Sequence, residues 1–448
     1  MKRNIDLLHG NILTSLTELA VPIMATSMVQ TAYSLTDMAW IGMVGSDAVA
    51  AVGAAGMYTW LLNGAVAMAK MGGQVRVAQS YGEGKVDEAV EYGKGAAQLA
   101  IAMALSFAVL ANVFAWQLVG FFHLNTASIV ANAVIYLRIA CGMLVFSHLG
   151  QTMTGLYTAV GNSRTPFLAN GVGLALNMIL DPMLILGLGP FPRLGVAGAA
   201  IATVTAQAVV LAVLLISARK DAILSRQLRI WKPTSRRHFK SIVRIGFPTA
   251  IQDMIYCSIS MYLTRFVTSW GDADVAVQRV GGQIEAISWM TAEGFGTAIN
   301  AFTGQNYGAG NLKRVKKGYT TAAGLMFVWG IFTSLLLIFG ATPIFSIFIH
   351  EPEVIPAGAS YLRILGVCEM FMCIELMTVG AMSGLGRTME ASVITIILTA
   401  LRIPMAIVLG TTALGLDGVW WALTISSIIK GIVFFIYYQR IMHRWNVR

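Results

Sequence analysis

Apolar stretches long enough to cross a bilayer follow one another along almost the whole chain, separated by short polar breaks. They lie near residues 15–42, 48–75, 95–122, 127–156, 166–188, 195–217, 242–268, 276–304, 318–348, 356–383, 390–411 and 417–438, each about 20 residues or more, the length a spanning helix needs. Twelve helices joined by short loops leave no room for a sizeable soluble domain. The pattern breaks in one telling place. Within the first stretch, Thr26, Gln30, Tyr33 and Asp37 recur at spacings of four, three and four, which sets four polar groups on one helical face. A carboxylate at membrane depth costs at least about 2.5–3.5 kcal/mol, so it faces a cavity or a partner and marks a functional position by default.

The two halves of the chain echo each other. Pro22 in ELAVPIMATSM matches Pro248 in RIGFPTAIQDM, Gln79–Gly82 (QSYG) matches Gln305–Gly308 (QNYG), and YLRI occurs at Tyr136–Ile139 and Tyr361–Ile364. Gly155 and Gly161 match Gly380 and Gly386, and Gly195 and Gly198 match Gly415 and Gly418. Six helices per unit is an even number, so both units start on the same side of the membrane and the repeats are parallel. The predicted fold is all-α and integral to the membrane: twelve transmembrane helices in two parallel, pseudo-symmetric six-helix bundles around a central cleft. The N-lobe covers residues 1–218 (helices 1–6), a basic cytoplasmic linker covers 219–241, and the C-lobe covers 242–448 (helices 7–12). Internal prolines at Pro22, Pro182, Pro248 and Pro404 are read as hinges, since each frees a backbone carbonyl and bends its helix.

Composition agrees with this pattern. Hydrophobic residues make up 56% of the 448 residues, charged residues only 12%, and the mean hydropathy is +0.70, whereas soluble domains carry about 25% charged residues. The net charge of +10 could suggest nucleic acid, but Lys and Arg concentrate in alternate loops. Lys2 and Arg3, the stretch Arg219–Arg244, and Lys313, Arg314, Lys316 and Lys317 fall on one side, while Asp272, Asp274, Glu351 and Glu353 fall on the other. That bias predicts a multi-pass inner (plasma) membrane protein with both termini in the cytoplasm and no nucleic-acid partner. The polar start of the chain predicts no cleavable signal. Cys141, Cys257, Cys368 and Cys373 all sit in apolar stretches without metal-ligand spacing and read as buried thiols. No GxxxxGK[ST] occurs, so ATP does not drive the protein directly, and no cofactor or enzymatic motif is present.

The chemistry lies with acids at membrane depth. In the fifth helix, Asn177 and Asp181 are four apart and share a face just before Pro182. If this helix meets the first, Asp37 and Asp181 form a joint proton site, and with Asn177 and Thr203 they offer the hard oxygens a small cation prefers. The bland alternative is a buried acid satisfied by hydrogen bonds. Candidate substrate-cleft positions are Gln30, Tyr33, Met24, Met28 and Asn63 in the first half, and Asp253, Tyr256, Glu285, Trp289 and Glu293 in the second. Methionine and aromatic surfaces suit promiscuous apolar or cationic ligands, though ordinary packing accounts for most such residues and structural ion pairs could account for the second-half acids.

Taken together, the Pro22 helix with Asp37, the QSYG/QNYG loops, the GNSRTP turn, NMILDP and GVAGAAIAT resemble the MATE (multidrug and toxic compound extrusion) family over essentially the whole chain, most like its DinF branch. The resemblance implies a secondary transporter, not an enzyme, exporting small lipophilic or cationic molecules in exchange for protons or sodium. It carries over Asp37, Asn177, Asp181, Tyr136 and Thr203 as the coupling-ion cluster, with no cofactor, membrane lipids as partners, and a monomer. The NorM branch carries a glutamate where this chain has Tyr256, and its tenth-helix acid falls near Met372, so a NorM-style second-lobe sodium site is not expected. The rival readings are a lipid-linked precursor flippase, which would want a cationic cavity, and a passive pore.

Overall fold

The computed structural model describes residues 4–121, 126–189, 191–228, 230–348 and 352–445; Lys2, Arg3, Phe122 at the end of the third predicted stretch, Arg229 of the linker and Glu351 lie outside these. The described regular structure is helical throughout. In chain order the helices are α1 (Ile12–Gly42), α2 (Ser46–Gly82), α3 (Val86–Val113), α4 (Ala115–Gly120), α5 (Ala127–Gly142), α6 (Leu144–Ala159), α7 (Arg164–Leu186), α8 (Val196–Ala218) and α9 (Leu224–Gln227). They continue as α10 (Arg236–Val267), α11 (Asp272–Gly308), α12 (Leu312–Phe339), α13 (Ala341–Phe348), α14 (Ile355–Gly366), α15 (Glu369–Gly384), α16 (Thr388–Ala400), α17 (Arg402–Gly410) and α18 (Leu416–Arg444).

Eight of these elements cross a membrane by length and apolarity alone, counting α16 with α17 as one. Two more crossings are bent pairs: α5 with α6 at 45°, and α14 with α15 at 52°. The last two, α10 and α11, are 32 and 37 residues long and more polar within their spans, with Gln252 and Asp253 in the first and Gln283, Glu285 and Glu293 in the second. Twelve transmembrane crossings result.

The repeat seen in sequence is also a repeat of local geometry. Helices α2 and α11 are each 37 residues, and α3 and α12 each 28. Gly195 before α8 has φ 54° and ψ −126°; Gly415 before α18 has φ 54° and ψ −127°. Side chains are strained in that region, so glycine just ahead of each of these helices is a backbone requirement. Pro22, Pro182 and Pro248 each lie inside a continuous helix. Pro404 does break its helix: α16 ends at Ala400, the residue whose carbonyl a proline four positions on obstructs.

Contacts gather the chain into two compact units, one of Met1–Ile5 and Ala25–Ala250, the other of Asp6–Met24 and Ile251–Arg448. Two of the divisions fall just past Pro22 and just past Pro248. The first unit holds one apolar cluster around Val77, Leu156 and Leu214 and another around Ile41, Leu137 and Ile185. The second is built around Val267, Phe345 and Trp420.

Small residues let helices within a unit touch backbone to backbone, as membrane helices require when lipid supplies little hydrophobic drive. A Cβ on Gly380 of α15 would lie 2.0 Å from the Gly296 carbonyl of α11, and backbone cannot step aside. Gly380→Ala is expected to destabilise the protein by about 1–3 kcal/mol. Gly324→Ala, on an exposed helical site with nothing within 4 Å of the new carbon, should leave stability unchanged or slightly higher. Thermal unfolding of the two variants side by side in detergent checks the contrast.

Candidate functional site

In the first unit, the later half of α1 delivers Gln30, Tyr33 and Asp37 to one wall of a cavity of about 650 Å³. The other walls come from α2 (Trp60, Asn63), α5 (Tyr136), α6 (Gln151), α7 (Asn170, Gly173) and α8 (Thr203, Gln207). Gly173 makes the α7–α8 contact possible, because a Cβ there would lie 2.4 Å from Val210 Cγ2. The volume falls within the range of small-molecule pockets, about 300–1,000 Å³. Among the described residues, Asp37 is the sole charged one in the lining; no Lys, Arg or His contributes to it.

Behind this wall lies the second acid. Asp181 and Asn177 are both completely buried, and Asn177 Nδ2 donates to Asp181 Oδ1 at 2.9 Å. Asp37 is near enough to Asp181 to act on it electrostatically, and both carboxyls act on Tyr33 and Tyr136. Thr203 stands beside the Tyr33 hydroxyl. Asp37 Oδ1, Asn177 Oδ1 and Asp181 Oδ2 are buried without a hydrogen-bond partner among the described residues. Two carboxylates left ionised and unsupported at low dielectric are costly. A proton on one of them, or a small cation beside them, lowers the cost.

The cavity thus brings together Asp37, Tyr136, Thr203, Gln30, Tyr33 and Asn63, with Asn177 and Asp181 beneath. The remaining positions singled out in the sequence lie elsewhere. Met28 is exposed and does not line the cavity. Met24 belongs to the second unit, where its side chain covers Gly294. Also in that unit, Tyr256 is exposed with the Arg402 guanidinium 5.9 Å from its ring centre, Asp253 and Trp289 are half-buried, and Glu293 is exposed.

Glu285 faces Arg402 and Tyr361, and Arg402 in turn donates to Ser426 and Ser427 at 3.2 and 2.9 Å. Lys430 and Glu375 form a buried ion pair at 2.7 Å. Glu285 and Glu375 thus sit against bases, as Asp37 and Asp181 do not; Glu369 of α15 is completely buried, with neither carboxyl oxygen hydrogen-bonded among the described residues. Among the described residues, no group of three His, Cys, Asp or Glu could hold a metal ion.

Several cavity residues escaped the sequence reading: Trp60, Gln151, Asn170 and Gln207. A usable signal existed. Ser147, Gln151 and Thr154 on α6 recur at spacings of four and three, and Thr203 and Gln207 on α8 are four apart, the same stripe logic that exposed α1. Uncharged stripes attract less notice than one ending in an acid.

Comparison with known proteins agrees with this anatomy. Residues 22–183 and 248–408 each match the model of the MatE family. A probable multidrug resistance protein NorM of Thermotoga maritima is 27% identical over 438 residues, covering 97% of this chain and 93% of that protein. An FAD transporter of Shewanella oneidensis is 26% identical over 447 residues, 98% and 97% of the two chains. Among solved structures, the outward-facing conformation of a multidrug resistance MATE family transporter of the MOP superfamily superposes with a TM-score of 0.90 at 23% identity, over 99% of both chains.

Proposed function

This chain belongs to the MatE family of multidrug efflux transporters, and from that premise we propose that it is an antiporter of the DinF branch, driven by protons or sodium, with its coupling site in the first unit. The observation that carries the reading is the cavity in which Asp37 is the one charge, backed by the buried Asn177–Asp181 pair. Its small lipophilic or cationic substrates meet an acid and no base. The coupling ion enters at Asp37 and Asp181, with Asn177, Tyr136 and Thr203 supplying the neighbouring polar groups.

Neutralising the acids changes what the later half of α1 costs to bury, and Pro22 is where that half can bend away from the earlier one. The division between units just past Pro22 and Pro248 supports a hinge there, as a transport cycle of alternating access requires; Pro182, inside α7 next to Asp181, serves the same role. Ion and substrate are coupled because each prefers a different state of the same cavity. Basic loops on one side orient the protein in the inner membrane with both termini cytoplasmic, and it works as a monomer held by lipid.

Purified protein in proteoliposomes is expected to move tetraphenylphosphonium against its own gradient when a pH or sodium gradient is imposed, and which gradient works identifies the ion. Equilibration of tetraphenylphosphonium without accumulation under either gradient would mark a passive pore and end the proposal.

A further inference from the structure

Resting on the reading of this cavity as the substrate site, the chemistry of its walls narrows what it can select. Beside Asp37, the hydrogen-bonding capacity comes largely from carboxamides carried on several different helices: Gln30, Asn63, Gln151, Asn170 and Gln207. They are not spent on one another symmetrically. Gln151 Nε2 uses its two N–H groups on Asn63 Oδ1 at 3.1 Å and Ser147 Oγ at 3.3 Å. These bonds use neither Gln151 Oε1, an acceptor, nor Asn63 Nδ2, a donor, on the two neighbouring amides.

Gln30 Nε2 reaches Asn170 Oδ1 at 3.5 Å, while Asn170 Nδ2 is held by the Pro166 carbonyl at 2.8 Å, which leaves Gln30 Oε1 as a further acceptor. The flat ring of Trp60 supplies an aromatic face.

A simple lipophilic cation has no use for an acceptor–donor edge, and amides left unpaired by a bound ligand are a cost rather than a gain. The complement of that edge is a donor beside an acceptor on one rim of a planar ring, the arrangement of a lactam or imide. A phosphate group has the opposite fit: it finds no Lys or Arg in the lining and sits near Asp37. We propose that the cavity selects planar heterocycles bearing a lactam or imide edge and rejects their phosphorylated forms, with Gln151 and Asn63 as the specificity-determining pair.

Riboflavin and its 5′-phosphate share one such ring and differ only in the phosphate; tetraphenylphosphonium has no hydrogen-bonding group at all. Titration of the purified protein, followed by flavin fluorescence, should show riboflavin binding at least about tenfold tighter than the phosphate ester. Gln151→Leu and Asn63→Leu, on separate helices, should each weaken riboflavin by about tenfold and by more than they weaken tetraphenylphosphonium, with thermal unfolding in detergent certifying that the variants fold.

Absence of riboflavin binding, equal affinity for the phosphate ester, or variants that leave riboflavin unchanged or weaken both ligands equally would each overturn the inference. Gradient-driven movement of tetraphenylphosphonium by the unaltered protein, measured alongside, separates failure of this inference from failure of the transport reading.

Discussion

Asp37→Asn is expected to cut gradient-driven efflux far more than it weakens substrate binding. The amide keeps the size and most of the polarity of the side chain but cannot exchange a proton or balance a cation. The substrate cavity keeps its shape, and the ion loses its grip on it. Since an ion that binds both states equally shifts nothing, the lost coupling of about 1–3 kcal/mol should appear as a fall in driven transport of about 5–150-fold. Asp181→Asn, behind the wall and bonded to Asn177, should act in the same direction. Transport in proteoliposomes, with tetraphenylphosphonium binding measured on the same preparation, decides the point. Full coupled transport by the Asp37 variant would remove that residue from the cycle.

Lys430→Met should cost more stability than any surface change and do so without entering the first-unit cavity. Lys430 and Glu375 meet at 2.7 Å with side chains only 4% exposed, so removing the ammonium strands a carboxylate among helices. Breaking such a pair costs about 3–5 kcal/mol, whereas replacing both partners by apolar side chains is often neutral. The double variant Lys430→Met/Glu375→Leu is therefore expected to recover most of the thermal stability the single variant loses. If the single variant unfolds at the same temperature as the unaltered protein, the pair is not holding α15 to α18. The contrast is with Asp37 and Asp181: a carboxylate beside an ammonium stays ionised and holds helices together, whereas these two have no base against them.

Much of the fold was legible from the chain alone, for a reason peculiar to membranes. Lipid offers the backbone no hydrogen bonds, so an apolar stretch of sufficient length has to be a helix, and the twelve crossings follow. Even α10 and α11, the more polar of the spans, were legible as apolar stretches at 242–268 and 276–304 between polar breaks. Asp37 announced itself because a carboxylate at that depth is expensive, and the spacing to Gln30 and Tyr33 showed which face it shares.

Other features needed the fold. That the earlier half of α1 packs with the second unit and the later half with the first appears in no periodicity, because both halves are equally apolar. The same limit applies to the cavity walls. Met24 and Met28 lie close to the polar stripe in sequence, yet one covers Gly294 and the other is exposed outside the lining. Gln151, Asn170 and Gln207 come from three different helices and meet in one cavity.

Helix length, the repeat and the acid in the first helix are properties of local chemistry, and the sequence by itself determined them: each is dictated by what lipid will tolerate around a single segment. Which acids stand alone and which are paired is a property of neighbours. Asp181 and Glu375 are both buried carboxylates in apolar helices, and nothing in their own segments separates them. Only the packing of α15 against α18, which brings Lys430 to one of them while the other meets an amide, decided which became a brace and which was left without a base.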